Sequence, residues 1–187
     1  MKYFELFDDM LIHDRWDLGD PVDEQGREID PWQFKKGRFL ELQGTPLLPL
    51  AYSGLALDFT TTPLGIPVVH ARLAALFERL GIQNQVQLMP ARVEGHFGPY
   101  FILNILHIIR CIDDARCEEV QYRTLEDGDP DRVGEYRVVA GLRIDPSKVG
   151  DAHIFRPWGW RIVIIVSEHL KQAMEEVGVS GTKFTEA

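Results

Sequence analysis

Basic residues are scarce in this chain: 20 Lys and Arg stand against 29 Asp and Glu, a formal charge of −9. A protein that grips nucleic acid or an anionic membrane through overall charge needs a dense Lys/Arg cluster. No such density appears along the sequence, so neither partner is expected. Cysteine is nearly absent. Cys111 and Cys117 are too few for a disulfide framework and read as buried thiols of a reducing compartment. No apolar run approaches the ~20 residues that span a bilayer. The first nine residues carry acids where a secretory signal would place its apolar region, and a cytoplasmic location is expected.

Catalytic grammar is equally thin. There is no GxxxxGK, GxGxxG, GxSxG, HExxH or CxxC. The six histidines (13, 70, 96, 107, 153 and 169) lie eleven or more residues apart, whereas metal sites usually take two ligands from one local element. No cofactor, no metal and no enzymatic activity are expected.

What the chain does have is unevenly placed acid. Residues 1–30 hold ten acids against three bases, and residues 113–131 hold eight against two. Together they carry more than the whole negative excess. Such segments serve either as solvated loops or as a face for a basic partner, where complementary potential speeds encounter. Within the second segment, Asp113, Asp114, Glu118 and Glu119 are candidate partner-binding residues. The same four are hard-oxygen donors in a rival metal-dependent hydrolase reading. Trp158 and Trp160, flanking Gly159, are candidate anchors, since Trp is enriched among residues that dominate binding energy. Asn104 lies inside an apolar run and is expected to bridge backbone groups.

The hydropathy pattern predicts an α+β fold with a mixed, largely antiparallel sheet and two main helices, one after residue 69 and one after 167. The short apolar run 66–69 leads into Leu73, Leu76, Phe77 and Leu80, then Gly81; the run 162–166 leads into Leu170, Ala173, Met174 and Val177, then Gly178. Ser167 and His70 stand at the two N-cap positions. Each unit returns to a strand, 86–93 and 182–185, so two similar strand–helix–strand units are expected. Further strands are expected at 3–7, 38–42, 50–59, 118–125 and 136–144, with 100–109 a central strand buried on both faces. We read 1–187 as one domain, with an N-terminal acidic loop and strands (1–60) and an α+β core (61–187).

Tyr100-Phe101-Ile102-Leu103-Asn104, then Arg110-Cys111-Ile112-Asp113, resembles the aromatic-x-x-x-Asn and Cys-Ile-Asp pattern of a bacterial polymorphic-toxin immunity protein family, the eleventh-numbered immunity type. Phe155, 162–167, Leu170, Gly178, Gly181 and Phe184 are similar to its closing signature, and 66–81 to its first strand–helix unit. His70 departs from that pattern, where a Ser-like cap is expected. The resemblance implies a non-enzymatic cytoplasmic antidote that binds and neutralises a cognate protein toxin. An acidic antidote would suit a basic nuclease toxin. A self-associating scaffold, dimerising through a sheet edge, is the remaining alternative.

Overall fold

A computed structural model describes residues 1–187. In chain order the strands are β1 (Tyr3–Asp8), β2 (Asp17–Leu18), β3 (Leu47–Leu48), β4 (Leu50–Tyr52), β5 (Phe59–Thr61) and β6 (Pro67–His70). Helix α1 (Ala71–Arg79) precedes β7 (Val86–Val93), β8 (His96–Ile105), β9 (Ile108–Ile109), β10 (Glu119–Tyr122), β11 (Tyr136–Ala140), β12 (Ile154–Pro157) and β13 (Ile165–Ser167). Helix α2 (Glu168–Glu176) and β14 (Thr182–Glu186) close the chain.

These strands build two five-stranded sheets, ordered β14-β1-β13-β12-β9 and β3-β7-β8-β6-β5, plus two-stranded ribbons β10-β11 and β2-β4. Pairing is largely antiparallel, with parallel pairs only at β12–β9 and β3–β7. The α+β class therefore stands, with two main sheets where one was expected. The cause is long-range pairing: β1 lies between β13 and β14, a partnership that local periodicity does not reveal.

The two helical units are built alike. In the first, β6 and β7 run parallel with β8 between them; in the second, β13 and β14 run parallel with β1 between them. Each helix buries one stripe, Leu73, Leu76 and Phe77 in α1 and Leu170, Ala173 and Met174 in α2. Both stop in the same way. Gly81 (φ 69°) and Gly178 (φ 66°) take the left-handed position. The next amide reaches back five residues, Ile82 to Phe77 and Val179 to Met174, each at 3.0 Å. This is the paired closure of a Schellman motif. At the N-termini, Ser167 Oγ accepts from the Leu170 amide (3.2 Å) and His70 Nδ1 from the Arg72 amide (3.3 Å). A histidine thus does the capping that the family pattern assigns to a serine.

Three cores follow. The first joins both helices to facing sides of the two sheets through Leu73, Phe77, Leu103, Ile154, Val166 and Leu170. The second gathers Trp16, Leu18, Phe34 and Leu48 against Ile102 and Tyr100. The third gathers Cys111, Ile144, Tyr136 and Val149 against Tyr3, Phe155 and Ile165. Strand β8 is central and feeds two cores by alternation, Ile102 to one and Leu103 to the other.

Segment 38–42 is not a strand. Side chains from the neighbouring sheet take its backbone groups: Gln87 accepts from the Leu40 amide (2.9 Å) and donates to the Leu40 carbonyl (2.7 Å). Asn104 donates to the Arg38 carbonyl (2.8 Å) and to Gln87 Oε1 (2.9 Å), the bridging expected of a buried amide. Residues 50–59 are likewise interrupted. Leu55 leaves the strand path to exchange backbone bonds with Asp14 and Trp16 (2.7 and 3.1 Å). No helix is long and apolar enough to cross a membrane.

Candidate interaction surface

The sequence-selected acids sit on a turn and on the first strand of the exposed β10–β11 ribbon. The turn is held by the Arg116 and Cys117 amides, which both donate to the Asp113 carbonyl. Asp114 accepts from the Tyr136 hydroxyl (2.8 Å) and from the Tyr122 hydroxyl, and these two rings lie 5.1 Å apart. Burial, then the Asp114 carboxylate, pushes the Tyr136 phenol far up. Asp113 is half-buried with Arg116 at 3.9 Å, while Glu118 and Glu119 are exposed and Glu119 accepts from Gln121. Three of the four carboxylates are spent on different partners, and that of Glu118 has none. No group of three or more His, Cys, Asp or Glu side chains in the molecule is placed to hold a metal ion.

Trp158 and Trp160 come into the same neighbourhood through Tyr136. Its amide donates to the Gly159 carbonyl (3.2 Å), and Gly159 (φ 76°) packs so close that an added Cβ would sit 3.0 Å from the Tyr136 ring. Both tryptophans are half-buried. Trp158 carries the Arg110 guanidinium 3.5 Å above its ring, and Trp160 packs against the third core. Asp114 and the tryptophan turn are therefore neighbours through Tyr136, whereas Glu118 and Glu119 meet Ala140 at the other end of the ribbon. Much of each Trp face is already covered.

A second exposed region was not singled out from sequence. Met10, Leu11, Tyr52, Leu55 and Phe97 all lie open to solvent, Phe97 completely so. The segments carrying them are laced together. Asp17 pairs with Tyr52, Trp16 bonds Leu55, and the Trp16 ring meets His96, beside Phe97, at 4.9 Å. Exposed Asp14 and Asp17 flank this apolar group. A Met-Leu pair inside an otherwise acidic loop, and Phe97 between Gly95 and Gly98, were the available signals.

Two arrangements look like catalytic parts and are not assembled as such. Asp58 accepts from Ser180 Oγ (3.0 Å), the Ser180 amide (2.9 Å) and Arg72 (2.9 Å), with His70 Nδ1 at 3.6 Å. A nucleophilic triad needs the serine on the histidine. Here the serine is on the aspartate, and His70 Nδ1 is occupied as a cap. His153 Nδ1 does meet Ser167 Oγ at 2.7 Å, but Ser167 is fully buried beneath α2. The cysteines are free; burial pushes the Cys111 thiol up to about 12, where it is inert as a nucleophile.

His153 supplies a pH prediction. Burial, then the nearby His169, lowers its pKa below the usual value. An unfolded chain would take a proton near pH 6.5 that the folded one refuses. Stability should therefore be full above that pH and fall as pH drops through the histidine range. Urea melts at neutral and at mildly acid pH should show this loss, and it should shrink in His153→Gln.

The fold and surface define an α+β protein whose conspicuous features are faces rather than a reaction centre. The model of the Immunity protein family (Imm11) matches residues 7–187, nearly the whole chain, and the protein belongs to that family. No curated protein matches it. Members of an immunity family are generally non-enzymatic and are associated with toxin neutralisation.

Proposed function

We propose that this protein neutralises a cognate protein toxin by binding it in the cytoplasm, with no bond-making chemistry of its own. The observation that carries the reading is family membership over residues 7–187. The chain acts as one immunity domain: all three cores are built on strands of two sheets that share the same helical layer. Asp113, Asp114, Glu118 and Glu119, with Trp158 and Trp160 joined to Asp114 through Tyr136, form the toxin-facing surface. Exposed carboxylates at Asp114, Glu118 and Glu119 suit a basic partner such as a nuclease domain, because a negative field raises the capture rate and imitates phosphate. The group Met10, Leu11, Tyr52, Leu55 and Phe97 offers a rival anchor with its own acidic margin.

Association kinetics with a candidate cognate toxin domain test both surfaces. Glu118→Lys with Glu119→Lys should slow association by about tenfold and flatten its salt dependence. Unchanged rates in that variant, with binding lost in Leu55→Asp or Phe97→Asp, would move the interface to the apolar group. No association of the wild-type protein at micromolar concentration and low salt would remove the neutralisation reading.

A further inference from the structure

Against its overall charge, the molecule has one strongly basic recess. It encloses about 300 Å3 between the 3-10 turn at Pro31–Lys35, the turn at Pro130–Arg132 and the loop after β12. Lys35, Lys36, Arg132 and Arg161 line it, with Asp129 their only acidic companion on the wall. Lys35 and Lys36 come from one short basic run, and Arg132 and Arg161 join them from distant parts of the sequence. Trp32 and Ile162, both more than half exposed, give the recess an apolar side.

Its positive charge is under-compensated. Glu135 bridges Arg132 (2.8 Å) and Arg161 (2.6 Å), which fixes both guanidiniums while neutralising only one. Lys35 is buried, donates to the Leu64 carbonyl (2.8 Å), lies 4.7 Å from the Trp32 ring and forms no ion pair within 4.0 Å. Asp20, whose field reaches Lys35, spends its carboxylate on Thr62 and Leu64. Behind the wall, Arg156 is completely buried. Its Nη1 donates to the carbonyls of Arg161 (2.8 Å) and Val163 (3.3 Å), but its Nε and Nη2 have no protein partner. Burial alone lowers its pKa to about 10, still charged at neutral pH. Buried cations without a counter-charge are costly, and a bound anion offsets that cost.

We propose that this recess is a binding site for the phosphoryl group of a small phosphorylated ligand of roughly nucleotide size. Two guanidinium forks held in place and two ammonium groups offer more donors and charge than one carboxylate uses. They suit a doubly charged group with three acceptor oxygens. The volume admits a small molecule, and the free face of Trp32 takes a flat ring. A polynucleotide is disfavoured by the acidic segments around it. The site is independent of the toxin-binding reading, since it uses none of the residues assigned to that surface.

Calorimetric titration of the full chain at low salt, with inorganic phosphate, adenosine monophosphate, acetate and a short single-stranded oligonucleotide, tests this. Saturable one-to-one binding of phosphate is expected, tighter for the nucleotide and absent for acetate. Lys36→Ala and Arg132→Ala should each weaken both by about tenfold, with melting temperatures reported alongside to show that the variants fold. Trp32→Ala should weaken the nucleotide and spare phosphate. No saturable phosphate or nucleotide binding up to about 10 mM overturns the proposal. So does equal binding of acetate, an unchanged affinity in both folded cation variants, or an oligonucleotide that binds tighter than the mononucleotide.

Discussion

Gly181→Ala should be among the most damaging single substitutions in this protein, costing on the order of 3–5 kcal/mol of stability. Two independent costs add. Gly181 has φ of +89°, a region in which an L side chain pays about 1–2 kcal/mol. A Cβ there would also stand 2.0 Å from the Phe59 carbonyl oxygen and 3.1 Å from Leu57 Cβ. The first of those neighbours is backbone and cannot swing aside. It is held in turn, because the Phe59 amide donates to the Ser180 carbonyl (3.0 Å) and Ser180 is tied to Asp58. This is where β5 of one sheet meets the approach to β14 of the other, so relief would require parting the sheets. Gly178 is the internal control. Its φ is +66°, but nothing lies within 4 Å of a Cβ built on it, so Gly178→Ala should lose only the backbone term, about 1–2 kcal/mol. Urea melts of both variants check the contrast through the midpoint at constant slope. Equal losses would mean that the close approach to Phe59 is absent in solution.

The second large effect is expected at Asp8. Its carboxylate takes both terminal nitrogens of Arg15, at 2.5 and 2.8 Å, and the Thr61 amide at 2.8 Å. Both side chains are more than nine-tenths buried. Asp8→Ala leaves the guanidinium in place with Asp17 at 3.5 Å, the Asp9 and Trp16 carbonyls and the Met10 sulfur to answer it. Removing one partner of a buried ion pair costs about 3–5 kcal/mol, and the remaining contacts put this case toward the lower figure. The double variant Asp8→Ala with Arg15→Met should recover part of the loss, because it removes the stranded charge as well. A double variant as damaged as the sum of its singles would show that the pair is not coupled.

The Asp8 ion pair also explains why charge read along the sequence did not translate directly into a charged face. Of the acids in residues 1–30, Asp8 is sunk into this pair and Asp20 accepts the Thr62 hydroxyl. Asp23 holds its own turn through the Gln25 and Arg27 amides, and Asp30 caps the turn at Trp32. Composition counts these carboxylates but cannot say which are consumed locally. The helices were legible because their information is local: a stripe at helical spacing, a cap before it and a left-handed glycine after it. The buried half of β8, residues 100–105, was legible from its nearly continuous apolar run. The expected strand over 100–109 breaks after Ile105, however, and Ile108–Ile109 forms the edge strand β9 of the other sheet. Pairing across the chain was not legible. Neither the lodging of β1 between β13 and β14 nor the rescue of 38–42 by Gln87 and Asn104 leaves a local pattern. The basic recess is the same case at the level of a site, since the Lys35-Lys36 pair, Arg132 and the segment carrying Arg156 and Arg161 are far apart in sequence and adjacent only after folding.

The split construction of the two units sets a timetable for synthesis. Everything the first unit needs, from Phe59 through Ile105, leaves the ribosome as one stretch, and β8 can slot between β6 and β7 soon after they emerge. The second unit has no such option. Strand β1 (Tyr3–Asp8) is made long before its partners β13 and β14, and the neighbouring Lys2 finally sits 3.2 Å from Glu186. Until β13 and β14 appear, β1 has an open flank on each side, and Leu6 lacks the neighbours that bury it. The nascent chain must carry that unsatisfied strand through the synthesis of the whole first unit and the β9–β12 region before its partners arrive.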